Sequence, residues 1–264
     1  MDEKNTLLKN EFLKLKREVE PHIQSGGAKN KNHLQNYLYF SCYPLFSYVE
    51  SIVILCERGK FRTSESLLRS LIELHINVIY YQVSESDHRL ALSVKTEFDE
   101  KLKGVREIKE LIRKYPNLKS TNPANLFSDE WLQEAEQWTE RERQAVIRGN
   151  NLDEKTKDLD LKAKAIKCDQ AELAGVEKGH FERMYHLIYR QLSPSTHLNV
   201  GGLQGFVDQG RDREYSFSDG DTRGYFLMHE AISICVALTK DLYENGVIEG
   251  SPPDTVSKLE ELLK

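Results

Sequence analysis

The chain is predicted to fold as an all-α helical bundle of about six to eight helices, with a long charged helical arm or hairpin in its middle third. Three observations predict this. Apolar residues recur at helical spacing through most of the 264 residues. Segment 34–58 is apolar nearly all round and belongs at the centre of a bundle, and 222–245 reads as a last buried helix. Between them, 87–178 is rich in charge and carries neither repeat nor low-complexity sequence. The reading is one all-α domain over 1–264, with 87–178 as an arm inserted between core helices.

The elements follow in order. Leu7, Leu8, Phe12, Leu15 and Val19 set a first helix over 6–19, expected to end before Pro21 and Gly26-Gly27. The second helix stops at Gly59. Thr63 or Ser64 is expected to cap the third, which runs to about 83. At 100° per residue, its Arg62, Glu65, Ser66, Arg69, Ser70, Glu73 and Asn77 share a polar arc, opposite Leu67, Leu68, Leu71, Leu74, Val78, Ile79 and His75. The short Gly59-Lys60-Phe61 link makes helices two and three an antiparallel hairpin. A charged helix over 87–115 ends at Pro116, and Ser128 caps the next, which sets Trp131 and Trp138 on one face. Phe181, Met184, Tyr185, Ile188 and Leu192 form a late apolar stripe, with Glu182, His186 and Arg190 as a polar ladder beside it. Ser193-Pro194 reads as an N-cap and a first helical proline, which puts His197 in the first turn of a new short helix. A short hairpin is expected around 206–207 and 215–217, then a buried last helix stopped by Gly246 and a small helix after Pro252-Pro253.

Composition bounds the function. With 30% charged and 39% apolar residues the chain is globular in composition. A net charge of −5 gives no global basic signal for nucleic acid. Cys42, Cys56, Cys168 and Cys235 show no close spacing, so they read as reduced thiols in a cytoplasmic setting. The polar start, Met1 to Asn5, carries no signal-peptide core. Residues 37–56 could span a bilayer by length, but Pro44, four tyrosines and three serines favour a buried core helix, so no membrane is expected. Neither a metal nor a cofactor is expected: no HExxH occurs, and Glu182 with His186 would supply two ligands on one helix. Gly201-Gly202 with Gly205 follows no strand and lacks a lysine, and Arg211, Arg213 and Arg223 are interleaved with acids.

The candidate chemistry centres on Tyr189-Arg190-Gln191-Leu192-Ser193-Pro194-Ser195-Thr196-His197. Arg190 would supply a fixed positive charge and His197 a proton-transfer group, if both converge on one phosphate. The plain alternative is a surface arginine on a charged ladder and a structural first-turn histidine. Tyr189, Ser193 and His75 are supporting residues: Ser193 as a cap rather than a nucleophile, and His75 either as a core histidine bonded to a buried partner or as an orienting group. Arg69 and Glu73 read as a solvated, interface or structural ion pair.

Arg69-Ser70-Leu71-Ile72-Glu73-Leu74 with Asn77 and Tyr80, followed late by Tyr189, Leu192-Ser193 and His197, resembles a bacterial all-helical family catalogued as a domain of unknown function, in order of elements over about 34–240. More distantly, Arg190-x6-His197 is similar to the Arg-x4-6-His motif of HEPN proteins, helical bundles that include RNases of toxin–antitoxin and antiphage systems. That likeness implies a metal-independent endoribonuclease with RNA as substrate. It also implies a homodimer, with Arg190 stabilising the phosphate and His197 moving a proton at the dimer interface. Gln191 stands where those enzymes often carry a small polar residue, and Ser193-Pro194 interrupts the interval. The rival expectations are a noncatalytic interaction module that binds a protein through the Arg69/Glu73 face and the 87–178 arm, and a small-molecule or nucleotide sensor with a pocket between helix three and the last.

Overall fold

The computed structural model describes residues 3–25, 32–83, 86–115, 128–171, 173, 176–190, 192, 207–209, 215–217 and 224–264. The architecture is all-helical, with nine α-helices and a π-helical turn among the described residues. They are α1 (Glu3–Ser25), α2 (His33–Glu57), α3 (Phe61–Gln82), α4 (Ser86–Lys114), α5 (Asp129–Gly149), α6 (Leu161–Gln170), α7 (His180–Arg183), α8 (Gly224–Glu244) and α9 (Asp254–Leu262). The π-helical turn Met184–Tyr189 continues α7. The expected hairpin is present as a ribbon, β1 (Val207–Gln209) antiparallel to β2 (Tyr215–Phe217), in the register Val207 to Phe217.

Packing divides the chain into two compact units, Met1–Val83 with Asp160–Lys264, and Ser84–Leu159. In the first, α2 and α3 form a hairpin through Gly59, whose φ of +69° lies in the left-handed region that glycine tolerates. α8 packs on both, and α1 on α9. Leu8, Phe12, Leu15 and Val19 of α1 and Leu68, Leu71, Ile72 and Ile76 of α3 are all buried at helical spacing. Leu227, Ala231, Ile232 and Cys235 of α8 complete this core.

Several boundaries depart from expectation for local reasons. α1 continues through Pro21 although the proline removes one backbone donor, and the turn that follows is tethered from outside by Tyr39, which donates to the Ile23 carbonyl at 2.9 Å. α3 begins at Phe61 with no side-chain cap, and Ser64, buried in its first turn, donates back to the Lys60 carbonyl at 3.0 Å. α2 is not buried all round, since Phe40 and Tyr43 are exposed.

The inserted unit ends at Leu159, short of the expected 178. The remainder of that stretch, α6, packs on α3 because its buried face carries Ala165 and Cys168 with Lys164 between α6 and the α3 polar arc. Lys164 donates to Asn77 Oδ1 at 2.8 Å and Tyr81 Oη at 3.1 Å, and lies 5.2 Å from the Tyr80 ring centre. Glu65 of the same arc is also buried, held by Arg62 at 3.1 Å. The arc is covered in part: Glu65 is buried and Asn77 is bonded by Lys164, whereas Ser70 and Glu73 remain exposed.

In the second unit α4 packs on α5, and Ser128 caps α5 by accepting from the Trp131 amide at 3.1 Å. The Lys95 ammonium, fully buried, donates to Asp99 (2.9 Å) and to the carbonyls of Glu154 (2.5 Å) and Thr156 (2.8 Å). It thereby fastens the 153–158 segment to α4.

Candidate functional site

The late apolar stripe buries Phe181, Met184 and Leu192, but it is not one regular helix. The Arg190 amide bonds the Tyr185 carbonyl at 3.0 Å, a five-residue step that inserts an extra residue into the turn. This breaks the i, i+4 register on which the Glu182–His186–Arg190 ladder was placed. Leu192, buried, then anchors the chain with an amide bond to the Ile188 carbonyl at 3.0 Å.

The insertion sets Tyr189 against α3. Arg69 donates from Nη2 to the Tyr189 hydroxyl at 3.1 Å, and its guanidinium carbon lies 4.6 Å from the ring centre. Tyr185 stacks on the other ring, 5.4 Å between centres and 19° between planes. Burial, reinforced by the nearby Glu73 charge, pushes the Tyr189 phenol above its usual pKa, against the opposing pull of the Arg69 bond. Arg69 and Glu73 thus both act on Tyr189.

Arg190 follows directly and is exposed. Its position is framed by two held residues, Tyr189 on α3 and Leu192 in the core. Ser193 and His197 lie outside the described residues, so the structure speaks to one half of the expected catalytic pair.

His75 stands apart from Arg190's setting. It is buried on α3, edge-on to Phe181 at 5.5 Å, with its Nδ1 left without a hydrogen-bond partner. The expected buried partner for that nitrogen is absent. Burial first, and then His180, depress its pKa to about 3, so the ring is neutral.

Two residues escaped sequence reasoning. Tyr185 was read as stripe filling, and only the π-helical step turns it onto Tyr189. Asp241 is one of several charged residues on α8, with Glu230, Lys240 and Glu244, so nothing in the sequence singles it out; burial raises its carboxyl to about 7. Among the described residues, no three His, Cys, Asp or Glu side chains converge as a metal cage would need.

Fold and site together define an all-helical bundle in which an arginine of the central hairpin clasps a tyrosine at a π-helical break. The chain belongs to a family of unknown function, DUF5677, whose model matches residues 36–215. That span takes in Arg69, Glu73, Tyr189, Arg190, Ser193 and His197. No curated protein and no solved structure matches the chain.

Proposed function

We propose that the protein is a HEPN-like, metal-independent endoribonuclease of toxin or antiphage defence, working in the cytoplasm as a homodimer. In this reading Arg190 binds the scissile phosphate and His197 moves the proton. The 2′-hydroxyl, relieved of its proton by His197, attacks phosphorus; the bond to the 5′-oxygen breaks, that oxygen takes a proton from water, and His197 returns its own proton to solvent. Arg190 offsets the charge that gathers on the non-bridging oxygens. The products are a 2′,3′-cyclic phosphate and a 5′-hydroxyl.

The observation that supports this most is the clasp of Arg69 on Tyr189 at 3.1 Å, immediately before an exposed Arg190. A catalytic arginine must be presented to solvent from a fixed backbone, and the clasp with the Leu192 anchor does this. Single-turnover cleavage of a mixed RNA pool in EDTA tests the reading. Arg190→Ala and His197→Ala are each expected to lose at least a hundredfold in rate. An inactive parent, or two variants as active as the parent, refutes it.

A second reading, a noncatalytic module that binds a protein, draws on α5, where Trp131 and Trp138 are 42% and 49% exposed. It predicts that Trp131→Ala with Trp138→Ala abolishes partner capture, with no RNA cleavage in parent or variant.

A further inference from the structure

A cavity of about 560 Å³ is lined by residues of α3, α7, α8 and α9, with neither Arg190 nor Tyr189 among them. Its size suits a small organic molecule. Ile79, Phe181, Val236 and Leu263 supply an apolar wall. Against that wall stand His75 Nδ1, buried and without a partner, and Asp241 Oδ2, buried with the Gln82 amide beside it. His75 is itself 6% exposed. An orphaned buried nitrogen is costly, and one that shares a cavity wall with a buried carboxylate marks a place where a ligand's own donors would complete the set.

The charges decide which donors. Five charged side chains line the cavity, Lys240, Lys264, Asp241, Glu244 and Glu260. Lys240 is engaged by Glu260 at 2.8 Å, which leaves Asp241 and Glu244 facing the single cation Lys264. Such a lining disfavours a phosphate. It suits a cation with at least two N–H groups and an apolar body to lie on Phe181.

We infer that this cavity binds a small organic amine as its ammonium, which donates to Asp241 Oδ2 and to His75 Nδ1 while its aromatic or aliphatic body lies on the apolar wall. His75 accepts in the tautomer that carries its proton on Nε2. Arg190 does not line the cavity, and the inference does not depend on the RNA-cleaving reading.

The inference carries its own pH signature. Asp241, raised to about 7 by burial, gains its charge across neutral pH. The groups that face it are Glu244, the Lys240–Glu260 pair, Lys264, His180 and His75, with Gln82 beside it. His75 stays neutral at about 3, and burial keeps His180 below its ordinary value. The ionised fraction of Asp241 rises from roughly a tenth at pH 6 to roughly nine-tenths at pH 8, so ammonium affinity rises about tenfold.

Titration calorimetry with the full chain tests this, using tryptamine, its neutral alcohol analogue tryptophol, and adenosine monophosphate as probes. Tryptamine is expected to bind one to one, at least tenfold tighter than tryptophol, with a Kd about tenfold lower at pH 8 than at pH 6. Asp241→Asn is expected to erase both the preference and the pH dependence. Ser233→Trp, which fills the cavity from its edge, is expected to abolish binding even if the Asp241 variant fails to fold. Equal or tighter binding of tryptophol or the nucleotide, no tryptamine binding at millimolar concentration, or unchanged binding by a folded Asp241→Asn protein overturns the inference. RNA cleavage by the same samples reports on the other reading independently.

Discussion

Tyr189 is where α3 meets the chain that carries Arg190, and a two-step substitution measures that junction. Tyr189→Phe removes the hydroxyl that accepts from Arg69 at 3.1 Å but keeps the ring 4.6 Å from the guanidinium. A hydrogen bond to a charged donor contributes about 1.5–3 kcal/mol when buried, and partial exposure brings this to about 1 kcal/mol. Tyr189→Leu also removes the cation–π contact, about 0.5–1 kcal/mol, and the Tyr185 stack, about 0.5–1.5 kcal/mol. The expected losses are therefore about 1 kcal/mol for Phe and about 2–3 kcal/mol for Leu. Urea denaturation of both, in a double-mutant cycle with Arg69→Met, reads the coupling directly. A coupling of about 1.5 kcal/mol is expected between Arg69→Met and Tyr189→Leu. Additivity within about 0.3 kcal/mol would show that the clasp holds nothing. Cleavage by the Leu variant should fall at least tenfold, because Arg190 then sits on an unfastened turn.

Other perturbations test other parts of the molecule. Lys95→Met strands the Glu154 and Thr156 carbonyls and should cost about 3 kcal/mol, with faster hydrogen exchange over 152–158 as the readout. Unchanged exchange there would show that this lysine fastens nothing. Asp241 has a folded pKa near 7, above its ordinary 3.8, so the fold favours its protonated form and loses stability as pH rises from about 4 to 7. Asp241→Asn should accordingly melt higher than the parent at pH 8, with the difference vanishing near pH 4; a lower melting point at pH 8 contradicts this. Gly224→Ala would put a Cβ 2.3 Å from Phe61 Cε1, so it should destabilise by about 1–3 kcal/mol, with Phe61→Ala in the same chain recovering part of the loss in thermal melts.

Much of the fold was legible because periodicity reports burial. The stripes of α1, α3 and α8, the Ser128 cap and the stops at Gly59 and Gly246 all stand as read. Covered polar surface was not legible. Lys164 and Glu65 look like solvated charges in sequence, and only a packed neighbour reveals that Lys164 lies among Asn77, Tyr80 and Tyr81. The site was legible in part. Arg69 and Tyr189 stand 120 positions apart and meet, as the family-like pattern suggests without stating. The π-helical step that orients them leaves no mark in a pattern read at 3.6 residues per turn, and the orphaned His75 nitrogen depends on a cavity that no spacing encodes.

The central claim is that Arg190 and His197 act together on an RNA phosphate through the adjacent 2′-hydroxyl. The most direct measurement maps the cleaved ends of an RNA in EDTA, beside the same RNA with one 2′-deoxy substitution at its main cleavage position. Cleavage by Arg190 and His197 should leave 5′-hydroxyl products, with none at the deoxy position and none anywhere with His197→Ala. Cleavage that persists at the deoxy position, or in the His197 variant, would contradict it.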